Sequence, residues 1–434
     1  MRTSRPIGLV ACLTLGLACS GSPDPPGRVL LVGIDGATLR IARPLLEEGR
    51  LPHLAAIAST GVYGPLRAHF PISSPRIWTS IATGRAPEAH GVLGFAKAVG
   101  DHERRLYLST DRVVPALWNI ASAAGLRVGV INWWNTYPIE IVDGVIVSDH
   151  LLAMDVEGRR RLTRADTPTE GAIAWPARWD ARLPDLLADD SPLVDVPDPF
   201  ADGASLPAWV RPQRLERRLQ NDADVLRIAL AVEAELRPDL MMVFFPGIDR
   251  VSHVLWAAVA APEEYERPPQ MTPAQREAMA EALRRYYVYT DALIGRLLGS
   301  YTPDDLVLVV SDHGFEAGQG LGFLTGSHDS PRSLRGVLFA RGPGVAVPER
   351  NRLLSVNDVT PTILTWLGLP VADDMEGRPA PFLVDARPSR IPSYRDTPVE
   401  RLADVPSGAE GTLLEQLRAL GYLEGEASAS RGEE

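Results

Sequence analysis

Cysteine is almost missing: the 434 residues hold two, Cys12 and Cys19, both at the extreme N-terminus. The rest of the chain therefore has no disulfide, no sulfur-ligated metal and no cysteine nucleophile. Any metal must be held by His, Asp and Glu. Lysine is scarcer still, since Lys97 stands alone beside 43 arginines, a skew that reads as codon bias. A basic excess is also lacking. The formal net charge of −11 leaves no broad electrostatic grip for nucleic acid. Past the N-terminal stretch no apolar run could cross a hydrocarbon core of about 30 Å. The composition, 45% hydrophobic and 23% charged, is that of a globular chain. Its length suits one large α/β domain with insertions or two smaller domains.

Arg2 and Arg5 precede a mostly apolar stretch from Ile7 to Ala18, too short to span a bilayer and right for the core of a signal peptide. Small Ala18 precedes Cys19, and a Ser/Gly/Pro spacer follows. The pattern resembles a bacterial lipoprotein signal: residues 1–18 are removed, Cys19 is lipidated, and 19–27 form a flexible linker. The other reading is an ordinary secretory signal with an incidental cysteine. Either way the expectation is export to the cell envelope, with the membrane contacted only through the lipid.

Residues 28–423 read as one catalytic domain and 424–434 as a disordered tail. Arg28–Asp35 is an apolar run ending in an acid, the mark of a buried parallel strand. Further strands are expected at Leu126–Asn132, Gly144–Ser148, Leu240–Phe245, Leu306–Val310 and Val337–Ala340. Helical patterns fall at Leu45–Thr60, Ile77–Ala82, Asp222–Leu236, Pro273–Leu298 and Asn357–Leu367. This alternation predicts an α/β fold with a mainly parallel sheet covered by helices on both faces. Residues 155–220, rich in Pro, Asp and Arg without clear periodicity, read as an inserted cap that carries substrate specificity.

In such sheets ligands bind outside the carboxyl ends of the strands, and three expected strand ends carry acids: Asp35, Asp249 and Asp312. Asp249 and His253 are spaced to share one face of a starting helix. Asp312-His313 sits in an expected strand-to-helix turn, and His328 lies in the Gly/Ser-rich loop that follows. Six N/O ligands without sulfur suit two divalent ions, zinc first and manganese second, and such a pair clamps an in-line displacement at phosphorus. Three carboxylates against two divalent cations leave the site at +1, so an acidic protein still binds an anionic ester. Ser74, just before Pro75 and a helix, is the candidate nucleophile, its oxygen near the backbone dipoles of a helix start. Ser73 competes with it.

These segments resemble the alkaline phosphatase superfamily, in its type I phosphodiesterase/nucleotide pyrophosphatase branch. The resemblance is carried by Gly33-Ile34-Asp35-Gly36, Ser74 through Thr83-Gly84 to His90-Gly91, Asp249…His253, Ser311-Asp312-His313-Gly314-Phe315, Ser327-His328, Gly342-Pro343-Gly344-Val345 and Asn357-Asp358-Val359-Thr360-Pro361-Thr362. It implies the alkaline-phosphatase-like sandwich. One zinc would go to Asp249, His253 and His328, the other to Asp35, Asp312 and His313, with Ser74 as covalent nucleophile. Nucleotide-cleaving members often carry Asn three positions after the nucleophile, where this chain has Ile77. Sulfatases need Pro and Arg where Arg76 and Trp78 stand. The implied activity is hydrolysis of a phosphate ester, a diester in the first place, on a small molecule, lipid or glycan. Two other readings stay open: a phosphoryl-type transferase on envelope lipids or glycans, and a catalytically silent binding lipoprotein of the same fold.

Several features have blander readings. Val147-Ser148-Asp149-His150 repeats Val310-Ser311-Asp312-His313 letter for letter. The second copy is favoured because a more apolar strand precedes it and His328 follows. His90 belongs to turn packing, Trp133-Trp134 to core or rim, and Arg159–Arg161 to a solvated face.

Overall fold

The computed structural model describes residues 27–100, 103–152, 171–189, 191–318, 324–347, 353–383, 387–403 and 410–419. The signal segment, Cys19, Arg159–Arg161 and the tail 424–434 lie outside them. Among the described residues no helix is long and apolar enough to cross a membrane.

The strand Val29–Ile34 shows why the sheet forms. All six residues are buried, and successive side chains point to opposite faces. Leu30, Val32 and Ile34 enter one hydrophobic core, while Val29 and Leu31 enter the other. A strand apolar on both sides can only be central. It pairs in parallel with Leu240–Phe245 on one side and Leu306–Val310 on the other.

Among the described residues nine strands make the sheet, in the order Leu354–Ser355, Val62–Arg67, Arg335–Arg341, Leu306–Val310, Val29–Ile34, Leu240–Phe245, Val128–Ile131, Gly144–Val147 and Ala174–Trp175. Arg335–Arg341 runs antiparallel to both its neighbours, and Ala174–Trp175 closes the far edge antiparallel to Gly144–Val147. Helices Leu39–Glu47, Pro52–Thr60, Pro212–Leu236, Gly247–Leu255 and Pro273–Leu298 cover one face; Ser74–Thr83, Leu117–Ala123 and Val359–Trp366 cover the other. The sheet is mainly parallel and sandwiched, as the alternating pattern predicts.

Three expectations need correction. The Leu45–Thr60 pattern is two helices, Leu39–Glu47 and Pro52–Thr60, because Pro52 starts a helix readily and cannot continue one. The helix expected from Asp222 begins at Pro212. The segment read as a cap is, in its described part, built into the body. It supplies the edge strand Ala174–Trp175 and the helix Ala177–Ala188, whose Trp179 and Leu183 are buried in the core.

Candidate active site

The carboxyl ends of the two central strands, Val29–Ile34 and Leu306–Val310, are stitched together. The Ala37 amide donates to Ser311 Oγ at 2.8 Å, and that hydroxyl donates to the His313 carbonyl at 3.0 Å. The Gly36 amide donates to Asp312 Oδ1 at 3.3 Å. Gly36 has φ +68°, and a Cβ there would lie 2.7 Å from the Phe315 ring and 3.0 Å from Asp249 Cα. Only glycine lets the chain turn here while the helix bearing Asp249 comes so close.

That helix, Gly247–Leu255, presents Asp249 and His253 on one face as expected, with His253 Nε2 3.4 Å from Asp249 Oδ1. His253 Nδ1 donates to the Gly326 carbonyl at 2.9 Å, which leaves Nε2 facing inward. No helix follows His313; a short hairpin of Glu316–Ala317 with Gly326–Ser327 does. This corrects the expected strand-to-helix turn. The cause is backbone anchoring, since the Gly314 amide donates to the Ser333 carbonyl at 2.7 Å instead of starting a helical ladder. The hairpin returns His328 to the cluster, its Nε2 3.7 Å from Asp249 Oδ1.

His313 is the centre. Its Nε2 lies 3.4 Å from Asp35 Oδ1, 3.4 Å from Asp312 Oδ2 and 3.9 Å from Asp249 Oδ1. Two triads, Asp35–Asp312–His313 and Asp249–His313–His328, each bring their ligand atoms within 4.8 Å of one another. His313 thus belongs to both groups rather than to one, and His253 joins through Asp249.

Charge is poorly balanced in this closed space. Burial, then the neighbouring Asp35, pushes the Asp312 carboxyl well above the usual range, and burial with Asp249 raises Asp35. Burial opposes a charge on His313, but Asp312, Asp35 and Asp249 outweigh it and push its pKa up to about 10. Burial likewise opposes ionisation of Asp249, yet His253, His328 and His313 draw it below the ordinary carboxylate range. Burial and His313 push His328 well down. The buried Asp312 Oδ2 and His313 Nε2 have no hydrogen-bond partner, which buried polar atoms rarely tolerate. Three acids and three imidazoles facing one another fit divalent cations.

Ser74 is the first residue of the helix Ser74–Thr83, buried, with Oγ 3.5 Å from Asp35 Oδ1. The Ser73 hydroxyl is buried without a hydrogen-bond partner. His90 bonds Ser80 Oγ at 3.0 Å, and Trp133 packs edge-on against Trp78 at 5.1 Å; both are structural, as expected.

Two features were missed. Asp222, on the helix Pro212–Leu236, is fully buried, accepts from the Tyr286 hydroxyl at 3.0 Å and packs against Gly247 at the start of the helix that carries Asp249. Burial raises its pKa to about 7. A helical acid at that spacing looks like any surface charge in sequence. The second feature is a cleft of about 910 Å³ beside the histidines, lined by residues of 38–40, 314–317 and 327–335 with Glu264. No described residue of the expected cap lines it.

The sequence profile of a family described as type I phosphodiesterase / nucleotide pyrophosphatase matches residues 29–357. The chain belongs to that family. Among solved structures it is similar to a 2-O GAG sulfatase, at 14% identity and TM-score 0.51, over 83% of this chain and 74% of that one. It is also similar to phosphonate monoester hydrolase from Silicibacter pomeroyi, at 19% identity and TM-score 0.44, over 84% and 78%. For phosphonoacetate hydrolase from Sinorhizobium meliloti the values are 18% and 0.43, and the match covers 68% of this chain. This family member spans 58% of the length of that enzyme. No curated protein matches by sequence comparison alone. At such identities these structures bear on the fold alone.

Proposed function

We propose that this family member is an exported two-metal phosphodiesterase that uses Ser74 as its covalent nucleophile. The observation that carries the reading is the convergence of Asp35, Asp249, His253, Asp312, His313 and His328 from separate stretches of chain, with Ser74 Oγ 3.5 Å from Asp35. Asp35, Asp312 and His313 would hold one divalent cation, and Asp249, His253 and His328 the other, with His313 able to reach both. Such ions, zinc first and manganese second, neutralise the phosphate and lower the pKa of a hydroxyl.

Ser74 gives its proton to solvent, its oxygen bonds phosphorus, and the ester oxygen departs with the electron pair of the broken P–O bond and takes up a proton from water. Water then cleaves the Ser74–phosphate ester. Placing Ser74 at a helix start aims backbone N–H groups at the phosphate oxygens. Cys19 would tether the enzyme to the envelope membrane by its lipid, where small-molecule, lipid and glycan phosphoesters are within reach.

The test is turnover of bis-p-nitrophenyl phosphate against the monoester, with bound metal measured. Ser74→Ala is expected to lower kcat/KM by about 10³ or more. Mass spectrometry of a quenched reaction with bis-p-nitrophenyl phosphate should find the 4-nitrophenylphosphoryl adduct on Ser74. Unchanged turnover in Ser74→Ala, or less than one metal per chain after loading with zinc or manganese, would refute the reading.

A further inference from the structure

We infer that the cleft beside the histidines binds a second anionic group of the phosphoester through Arg332 and Arg335. This rests on the phosphodiesterase reading and specifies its substrate class. The cleft abuts the histidines through its wall: Gly314 and Ser327, which line it, are the chain neighbours of His313 and His328, and the Phe315 ring in its lining lies 5.0 Å from His253 and 5.6 Å from His328. A Cβ on Gly314 would lie 2.6 Å from the Arg335 carbonyl, so Arg335 sits directly against the loop that carries Asp312 and His313.

Three arginines and three acids line the cleft, and hydrogen bonding separates them. Arg40 is bound to Glu264 at 3.0 Å and to the Val259 carbonyl at 2.8 Å. Glu316 accepts from the Ser330 amide at 2.8 Å and its hydroxyl at 2.6 Å, and Asp329 accepts from the Ser327 hydroxyl. These acids are committed to holding the loop. Arg332 and Arg335 are exposed, and among the described residues no carboxylate is paired with either within 4.0 Å, Glu264 feeling Arg332 only from beyond its own pair with Arg40.

The sheet register adds an independent sign. Arg335 lies directly opposite Arg67 in the antiparallel pair, both exposed. Like charges directly opposite each other destabilise a sheet, and no carboxylate offsets this pair among the described residues. An anion docked on Arg335 would. A planar guanidinium matches carboxylate and phosphate oxygens two at a time, so the shared chemistry is a tetrahedral or planar oxyanion on the ester's non-reacting arm.

The experiment compares kcat/KM for carboxymethyl 4-nitrophenyl phosphate and its phosphonomethyl analogue with that for methyl 4-nitrophenyl phosphate. A charged hydrogen-bonded contact is worth about tenfold in affinity. The wild-type ratio of charged to methyl ester is expected to be about ten or more on at least one arm, and the larger arm names the oxyanion. In Arg332→Ala/Arg335→Ala the ratio should fall to about one, and it should shrink with added salt. The ratio is internal to each protein, so a loss of folded enzyme does not mimic it. A wild-type ratio of one or less on both arms overturns the inference, as does a ratio that survives the double substitution. Failure to turn over even the methyl ester speaks against the phosphodiesterase reading instead. Calorimetric affinity for 3-phosphonopropionate over ethylphosphonate, with the same two proteins, then decides the cleft without turnover.

Discussion

Val147-Ser148-Asp149-His150 and Val310-Ser311-Asp312-His313 have the same four residues, and each follows a buried strand of the same sheet. In the first copy, Asp149 accepts from the Asn135 amide at 3.0 Å and the Thr136 hydroxyl at 3.2 Å, and His150 stacks on Tyr137 at 4.3 Å. In the second, Asp312 Oδ2 and His313 Nε2 lack hydrogen-bond partners and face Asp35 and Asp249. What differs is the neighbourhood. The first strand lies one place from the sheet edge, beside the short strand Ala174–Trp175. The second lies between Val29–Ile34 and Arg335–Arg341, and Val29–Ile34 delivers a further acid at its end. A motif becomes a site only when adjoining strands bring complementary groups to the same edge.

Paired substitutions in the two copies measure this difference. Asp312→Asn should lower kcat/KM for bis-p-nitrophenyl phosphate by about 10³ or more, with loss of bound metal by elemental analysis. Asp149→Asn should leave the rate within a small factor and lower Tm by roughly 1–2 °C, as expected for about 1 kcal/mol in a domain of this size. Equal effects on rate would erase the distinction.

A smaller contrast is expected at the serines. Ser311 Oγ ties Ala37 to His313, so Ser311→Ala should cost about tenfold in rate by loosening the chain beside Asp35. Ser148 Oγ donates to Asp149 at 3.0 Å and accepts from the His150 amide; Ser148→Ala should move Tm and not rate.

The smallest effect lies in pH, and its sign opposes in the two copies. Burial lowers the His150 pKa from its ordinary value near 6.5. The unfolded chain then binds more protons below that pH, so the stability His150 supports is present above about 6.5 and lost as pH falls below it. For His313, held near 10 by its three acids, the stability is full below about 6.5 and lost as pH rises toward 10. Melting the metal-free chain across pH, with His150→Gln and His313→Gln, should flatten the acid limb in one and the alkaline limb in the other.

The fold was legible where side chains repeat a simple rule. Val29–Ile34, Leu240–Phe245 and Leu306–Val310 are unbroken apolar runs, and Pro273–Leu298 has the boundaries its pattern predicts. Asp249 and His253 were legible from helical spacing. Ala174–Trp175 was not, since two residues carry no periodicity. The helix start at Pro212 was hidden by surrounding Pro, Arg and Asp that also suit loops. The sharing of His313 between two triads depends on how three strand ends converge, which linear spacing does not encode. The cleft is not legible in the sequence because its lining comes from short turns around a hairpin rather than from the long irregular segment 155–220.

Gly247 opens the helix that bears Asp249, at the meeting of three helices. A Cβ there would stand 2.0 Å from the Tyr286 hydroxyl and 2.2 Å from Asp222 Oδ2. Both are buried and bonded to each other, so neither can step aside cheaply. Even alanine would drive the whole helix outward and withdraw Asp249 from its partners. A saturation screen scored for activity should find this position as intolerant as any ligand, though its contribution consists of leaving room.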